Sequence, residues 1–137
     1  MLLVSLFVKK DLYTVVIQSN GRIIAKDISK VNADEEGVYD KLILCFRKMI
    51  RLLRNYIEQN REEDRVVIEL NNSTFIKWLE FEYATEEYQE QFMKLIKEFN
   101  ELPIQYNIVF NGNPLAKKFA NETKRTDKVA LTGLSID

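Results

Sequence analysis

The sequence predicts a single α/β domain in which helices pack on a mixed β-sheet. Three observations lead to this prediction: three β-rich runs open the chain, a long amphipathic helix follows, and strands then alternate with helices. Close connections favour antiparallel pairing of the opening runs, whereas strands separated by helices are joined by crossovers. The predicted order of elements is β-β-β-α-β-α-α-β-α, which is typical of a five-stranded mixed sheet with helices on it.

The three opening runs span residues 2–8, 12–18 and 22–29 and are rich in Val, Ile, Leu, Tyr and Phe. Asn20-Gly21 stands between the second and third runs. This dipeptide is a strong signal for a tight hairpin, because both of its residues tolerate a positive φ. The sequence therefore predicts a three-stranded antiparallel meander.

A long helix is predicted next. Asn32 and Glu35 have the spacing of an N-terminal cap, and apolar residues then recur at steps of three and four through about Gln59. The residues of this stripe are Val38, Leu42, Cys45, Phe46, Met49, Leu53, Tyr56 and Ile57. Because Cys45 lies in the stripe, we expect a buried structural thiol.

Strands and helices alternate after residue 64. Residues 65–70 predict a buried strand, and residues 71–73 its end and the cap of a short helix over 74–79. Phe75, Trp78 and Leu79 of that helix are expected to point inward.

A second clear helix is predicted to begin at Thr85 and to end before Pro103, with Phe92, Leu95, Ile96 and Phe99 along one face. Residues 104–110 predict the fifth strand. Pro114 suits the first position of a last helix over 115–122.

Length and composition limit the architecture and the chemistry. The 137 residues fit one domain, predicted to span 1–122, with 123–137 as a C-terminal tail or an added edge element. No histidine is present, which excludes serine–histidine and cysteine–histidine nucleophile systems and imidazole-bound zinc. The single cysteine cannot form an internal disulfide and favours a reducing compartment. Carboxylate–Mg²⁺ chemistry, binding and a structural role remain possible.

Charge is balanced overall but uneven along the chain. The net charge is −1, with +3 over residues 1–60, −6 over 61–101 and +2 over 102–137. This balance differs from the strongly basic composition of a dedicated nucleic-acid binder. No apolar stretch approaches the ~20 residues of a membrane span, so we expect a soluble, cytoplasmic protein without a membrane partner.

Two segments resemble known motifs. They are Ile68-Glu69-Leu70-Asn71-Asn72-Ser73-Thr74-Phe75-Ile76-Lys77-Trp78-Leu79 and Asn113-Pro114-Leu115-Ala116-Lys117-Lys118-Phe119-Ala120-Asn121-Glu122. The first is similar to the fourth strand and following helix of the ribonuclease H-like superfamily, and the second to its closing motif. The order of elements agrees over roughly residues 2–122. That pattern often has a histidine in the loop before the last helix, where residues 110–113 stand here.

The resemblance implies a fold whose active members hydrolyse phosphodiester bonds with two Mg²⁺ ions held by carboxylates. The corresponding positions here are Ser5, Asp40, Asn71 and Lys117, only one of which is an acid. Glu69 lies on the same strand face as Asn71, but a two-residue step displaces its oxygens by roughly 7 Å. One carboxylate and one amide cannot neutralise two hard cations, and an ammonium repels them. We therefore expect a catalytically degenerate member with no metal or other cofactor.

Two basic groups are candidates for nucleic-acid binding. Arg47, Arg51 and Arg54 fall within about a 60° arc of the long helix, and Lys117 and Lys118 lie on the last helix. In the ribonuclease H-like fold the first and last helices meet at the active-site edge, so the two groups would form one basic surface around the lost metal site. Ordinary solvated helix faces are the competing interpretation of both groups.

The sequence thus favours a non-catalytic binding or accessory module whose partner is nucleic acid. A protein-interaction or assembly component that uses the fold as a scaffold is the alternative, supported by the acidic middle of the chain. An Mg²⁺-dependent nuclease with rearranged ligands is the third reading. Tyr13, Phe75, Trp78, Phe81 and Tyr83 are candidates for base stacking or for core packing, and core packing is favoured. The oligomeric state stays open.

Overall fold

The computed structural model describes residues 1–9, 12–30 and 37–126, with side chains described as far as residue 122. Its elements follow the predicted order, with a short 3₁₀ turn added before the third helix. They are β1 Leu2–Val8, β2 Leu12–Ser19, β3 Arg22–Lys30, α1 Val38–Gln59, β4 Arg65–Leu70, α2 Ser73–Phe81, the 3₁₀ turn Glu86–Tyr88, α3 Gln89–Asn100, β5 Gln105–Phe110 and α4 Leu115–Thr126. None of the described helices has the length and apolar character that a bilayer crossing requires.

One sheet holds all five strands, in the order β3-β2-β1-β4-β5. The first three strands form the predicted antiparallel meander, whereas β4 runs parallel to both β1 and β5. The turn between β2 and β3 is the predicted one: Asn20 has a φ of 51° and Gly21 a φ of 79°. The sheet is therefore mixed, as the sequence predicts.

The larger core lies on one face of the sheet, beneath α1, α2 and α3. Leu2, Val4 and Leu6 of β1 point to this face and pack with the buried stripe of α1. Four fully buried phenylalanines, Phe46, Phe75, Phe92 and Phe99, meet there in edge-to-face contacts. We call this side of the sheet the α1 face.

The opposite side carries α4 and is called the α4 face. Side chains alternate along a strand, so Phe7 of β1 and Val16 of β2 point to this face, where they pack with Ala116 and Ala120 of α4. Phe119 adds to this smaller cluster. Helices α1 and α4 are thus separated by the sheet.

Cys45 is fully buried, as predicted from its place in the apolar stripe. Its Sγ atom donates to the carbonyl oxygen of Thr14 over 3.6 Å. Burial, reinforced by the carboxylate of Asp27, raises the pKa of the thiol. Cys45 is therefore a neutral core residue.

Some details depart from the sequence prediction. Val38, assigned to the apolar stripe, is half exposed because it lies in the first turn of α1. Thr85 precedes the 3₁₀ turn without a side-chain capping bond. Helix α4 continues through Thr126, so residues 123–126 extend the helix past the predicted boundary at 122. The predicted cap at Asn32 and Glu35 lies outside the described residues, as does the tail beyond residue 126.

Candidate functional site

Ser5 and Glu69 lie side by side at the edge of the sheet where β1 and β4 end. They are direct partners in the parallel pairing of these strands. Both point to the α4 face, because Val4, Leu6, Ile68 and Leu70 on either side of them point into the α1-face core. Ser5 is 1% and Glu69 8% exposed. The structure thus places two buried polar side chains under the start of α4.

The carboxylate of Glu69 holds the N-terminus of α4. Oε1 accepts from the backbone N–H of Leu115 at 3.0 Å, and Oε2 accepts from Nδ2 of Asn111 at 2.9 Å. The first N–H groups of a helix have no partner within it, and a negative charge there is favoured by the helix dipole. Both oxygens of Glu69 are therefore used in docking α4.

Hydrogen bonds continue from Glu69 to Lys117. Asn111 Oδ1 accepts from the N–H of Asn113 at 2.9 Å, and Asn113 Oδ1 accepts from Nζ of Lys117 at 3.1 Å. We call the group of Glu69, Asn111, Asn113 and Lys117 the α4 network. It leads from the buried carboxylate of Glu69 to the ammonium group of Lys117 at the surface.

Ser5 also binds the N-terminus of α4. Its Oγ accepts from the N–H of Ala116 at 2.8 Å, so a second free N–H group of α4 is paired with a strand side chain. The residue at the predicted first-strand acid position thus contributes a neutral acceptor instead of a charge.

Of the other two predicted positions, Asn71 follows the end of β4 two residues after Glu69, and Asp40 lies on α1. Asn71 is half buried directly after β4, and its neighbour Asn72 caps α2 by accepting from the N–H of Phe75 at 2.8 Å. Asp40 lies in the first turn of α1, on the opposite face from Ser5 and Glu69, and accepts from the N–H of Gly37 at 3.1 Å.

Asp40 also interacts with Tyr88 of the 3₁₀ turn. Desolvation of the phenol, together with the charge of Asp40 and a hydrogen bond to it, raises the pKa of Tyr88. The contacts of Asp40 are therefore with the loops around α1 and α3 and not with the α4 network.

The described residues do not fit two Mg²⁺ ions. Within residues 1–9, 12–30 and 37–126, no three acidic, histidine or cysteine side chains come together as a metal-binding group. Both oxygens of Glu69 accept from protein N–H groups, and a Lys117 ammonium stands where the resemblance expects an acid. Divalent ions of this kind prefer several anionic oxygens, so this arrangement does not provide a place for them.

The basic candidates are divided between the two faces. Lys117 is half buried and Lys118 is exposed, both on α4. Lys26 of β3, which the sequence analysis did not single out, lies on the same face with its Nζ 4.4 Å from the centre of the Phe119 ring. This distance is typical of a cation–π contact.

The arginine candidates lie on the α1 face. Nη2 of Arg47 pairs with Oε1 of Glu98 on α3 at 3.1 Å, so this side chain is directed to the neighbouring helix. Arg51 is exposed and Arg54 half exposed. Because the sheet separates α1 from α4, these arginines do not join Lys117 and Lys118 in the single patch that was expected from adjoining helices. The single surface was expected only if the two helices adjoin, and the binding role of each basic group stays a prediction.

The five aromatic candidates for base stacking fall into a buried group and an exposed group. Tyr13, Phe75 and Trp78 are buried, which is the core packing favoured by the sequence, whereas Phe81 and Tyr83 are 75% and 66% exposed. Trp78 stacks on Tyr39 with ring centres 4.6 Å apart.

Sequence reasoning missed the structural role of Glu69, Asn111 and Asn113. The available signal was the run Asn111-Gly112-Asn113-Pro114 between a strand and a helix, since Asn side chains often bind nearby backbone in such turns. It identifies a turn, but it does not identify the strand carboxylate to which that turn binds.

The sheet order, the antiparallel meander and the placement of α1 and α4 on opposite faces define an α/β protein of ribonuclease H-like architecture. No protein-family model matches the sequence, and no curated protein matches it. Solved structures do. The chain is similar to LC11 RNase H1, isolated from compost by a metagenomic approach, with a TM-score of 0.64 and 14% identity over 88% of this chain and 90% of that one.

A second structure of LC11 RNase H1, in complex with an RNA/DNA hybrid, matches with a TM-score of 0.61 and 13% identity, covering 81% of this chain and 85% of that one. At this identity the likeness shows the fold. The chain therefore has a ribonuclease H-like fold, as the two quoted segments and the element order predict.

Proposed function

We propose that this protein is a non-catalytic ribonuclease H-like module that binds nucleic acid through the outer surface of α4. One observation carries the proposal: the α4 network occupies the sheet edge where the fold's active members hold their metal ions. The ammonium of Lys117 attracts phosphate, and the carboxylate of Glu69, which caps the helix, is not free to coordinate a metal ion.

The proposed surface consists of Lys117 and Lys118 of α4 together with Lys26 of β3, all on the α4 face. Helix α4 carries Lys124 and Arg125 further along its sequence and one acid, Glu122, over its whole length. Helix α4 packs on the sheet by apolar residues, and Lys118 is exposed and available to a phosphate backbone. This support is independent of the arginines of α1.

An RNA/DNA hybrid is the first ligand to test, because it is the ligand in the complex of LC11 RNase H1. Duplex DNA and single-stranded DNA serve as comparisons. Phosphate contacts alone do not distinguish sequences, so we expect weak sequence preference and strong dependence on salt.

The binding test compares matched charge reversals on the two faces. Fluorescence anisotropy of a labelled hybrid is measured at low and moderate salt with the parent chain, Lys117→Glu, Lys118→Glu and the control Lys97→Glu. Lys97 is exposed on α3, on the α1 face, so it changes the net charge equally. We expect each α4 variant to weaken binding roughly tenfold and to reduce the salt dependence by about one phosphate contact. Equal loss in the control, or no binding by the parent chain at low salt, refutes the proposal.

Cleavage is tested on the same substrates with Mg²⁺ and with Mn²⁺. We expect the labelled hybrid to stay intact under conditions in which the chain binds it. Cleavage that disappears in Glu69→Gln would establish the nuclease with rearranged ligands instead.

A further inference from the structure

The last strand of the sheet, β5, has one open edge within the described part of the chain. The N–H of Gln105 donates to the carbonyl of Asp64, and the N–H of Asn111 donates to the carbonyl of Leu70. In a parallel ladder alternate residues turn both backbone groups to the same neighbour, so residues 105, 107, 109 and 111 bind β4. The N–H and C=O groups of Tyr106, Ile108 and Phe110 therefore face the open edge.

Within residues 1–9, 12–30 and 37–126, this edge lacks the usual protection against pairing. Natural edge strands are commonly blocked by charged residues, proline or bulges, whereas Gln105–Phe110 contains neither a charge nor a proline. Its apolar side chains are exposed on both faces of the sheet: Tyr106 by 37% and Phe110 by 60% on the α1 face, and Val109 by 40% on the α4 face. The strand is thus suited to pairing with a further strand.

An acidic cleft accompanies the edge on the α1 face. It encloses about 310 Å³ between the end of α2 and β5 and is lined by Glu80, Glu82, Leu79, Tyr106, Asn107 and Ile108. Both glutamates are exposed. Glu82 accepts from Nδ2 of Asn100 at 3.1 Å. Burial of the Tyr106 phenol raises its pKa, and the negative charge of Glu82 raises it further. A strand laid along β5 would carry every second side chain into this cleft.

We propose that the β5 edge binds an extended segment of a partner protein whose side chains alternate between basic and apolar. The segment pairs with the free backbone groups of Tyr106, Ile108 and Phe110 and so extends the sheet. Its basic side chains enter the cleft of Glu80 and Glu82, and its apolar side chains cover Val109 on the other face. Backbone pairing provides affinity in this mode of recognition, and the alternating side chains provide specificity.

The charge at this edge disfavours two other binding partners, a second copy of the chain and a nucleic acid. Glu80 and Glu82 line the cleft beside β5, so a phosphate backbone would be repelled there and a second copy would bring two further acids to the same edge. The proposal does not depend on nucleic-acid binding at α4, which lies on the other face of the sheet.

The probe is a capped seven-residue peptide in which lysine and valine alternate. Its two controls are the peptide with glutamate in place of lysine and the lysine peptide with alternate backbone amides N-methylated. We expect the lysine peptide to bind the full chain measurably by isothermal titration calorimetry and both controls to bind at least about tenfold more weakly.

Amide hydrogen exchange locates the peptide. Binding is expected to slow the exchange of the Tyr106, Ile108 and Phe110 amides, which face the open edge. The amides of Asn107 and Val109, already paired with β4, are expected to change little.

Two variants complete the test. Glu80→Lys is expected to weaken the lysine peptide about tenfold, whereas Glu122→Lys, the same charge change on α4, leaves its affinity unchanged. The proposal is overturned if the lysine and glutamate peptides bind equally, if Glu80→Lys binds like the parent chain, or if protection appears away from β5. A concentration-dependent dimer that is lost in Val109→Lys would assign the edge to a second copy and also overturn it.

Discussion

The hydrogen bonds at the N-terminus of α4 predict the effect of replacing Glu69 by alanine. The substitution removes both carboxylate oxygens, so the N–H of Leu115 and Nδ2 of Asn111 lose their acceptors. Glu69 is only 8% exposed, and water replaces these bonds poorly. We therefore expect a substantial loss of stability when Glu69 is replaced by alanine.

Three contributions determine how much stability Glu69→Ala is expected to lose. Loss of a helix N-cap costs about 1 kcal/mol, loss of the favourable charge at the helix dipole about 0.5 kcal/mol, and loss of the Asn111 bond about 1 kcal/mol. Glu69→Ala is thus expected to lower the free energy of unfolding by about 2–3 kcal/mol, which for a domain of this size is about 8–12 °C in Tm. Glu69→Gln, which keeps one acceptor for Leu115, should lose about half as much.

Thermal unfolding followed by circular dichroism, with and without Mg²⁺, measures both variants. The sign of the change distinguishes the two roles that Glu69 can have. In a cluster of metal-binding carboxylates, removing one acid relieves repulsion and stabilises the metal-free protein. A higher Tm in Glu69→Ala, or an Mg²⁺-dependent rise in the parent Tm that the variant lacks, would refute the capping role.

Two further predictions concern buried polar groups. Ser5→Ala leaves the N–H of Ala116 without its 2.8 Å partner and should cost about 1–2 kcal/mol in urea unfolding, and an unchanged midpoint would contradict the contact. Because burial raises the pKa of Cys45 above its usual value of 9.0, the unfolded chain releases the thiol proton first, and the free energy of unfolding should fall as the pH rises above about 9.0. Stability measured between pH 8 and about 10 should fall less in Cys45→Ala, and equal slopes would contradict the buried neutral thiol.

Local sequence signals predicted the elements of the fold because each is determined by neighbouring residues. Asn20-Gly21 supplies the positive φ angles of the hairpin, and the three- and four-residue steps around Phe46 produce the buried stripe of α1. The parallel placement of β4 followed from the intervening helix. The end of α4 was placed four residues too early, because its last turn has no apolar periodicity.

The site could be predicted only in part, because its contacts join residues far apart in the chain. Strand positions alone suggested that Ser5 and Glu69 lie at the same end of the sheet, where the structure pairs them. The sequence did not show that Glu69 binds residues 42 and 46 positions away, because those bonds depend on the register of β1 with β4 and on the start of α4. The expected single basic patch failed for the same reason, since a helical arc does not reveal the sheet face on which the helix lies.

Metal binding and the docking of α4 compete for the same atoms in this protein. An ion at the sheet edge would need the oxygens of Glu69 that now bind Leu115 and Asn111. An acid introduced at Ser5 would face Glu69 across one strand pair, where two carboxylates disfavour joint ionisation, and would put a larger, charged group where the hydroxyl of Ser5 now accepts from Ala116. An acid at this position is therefore expected to disturb the docking of α4. In this chain, coordination of an ion by Glu69 and capping of α4 by the same oxygens exclude each other.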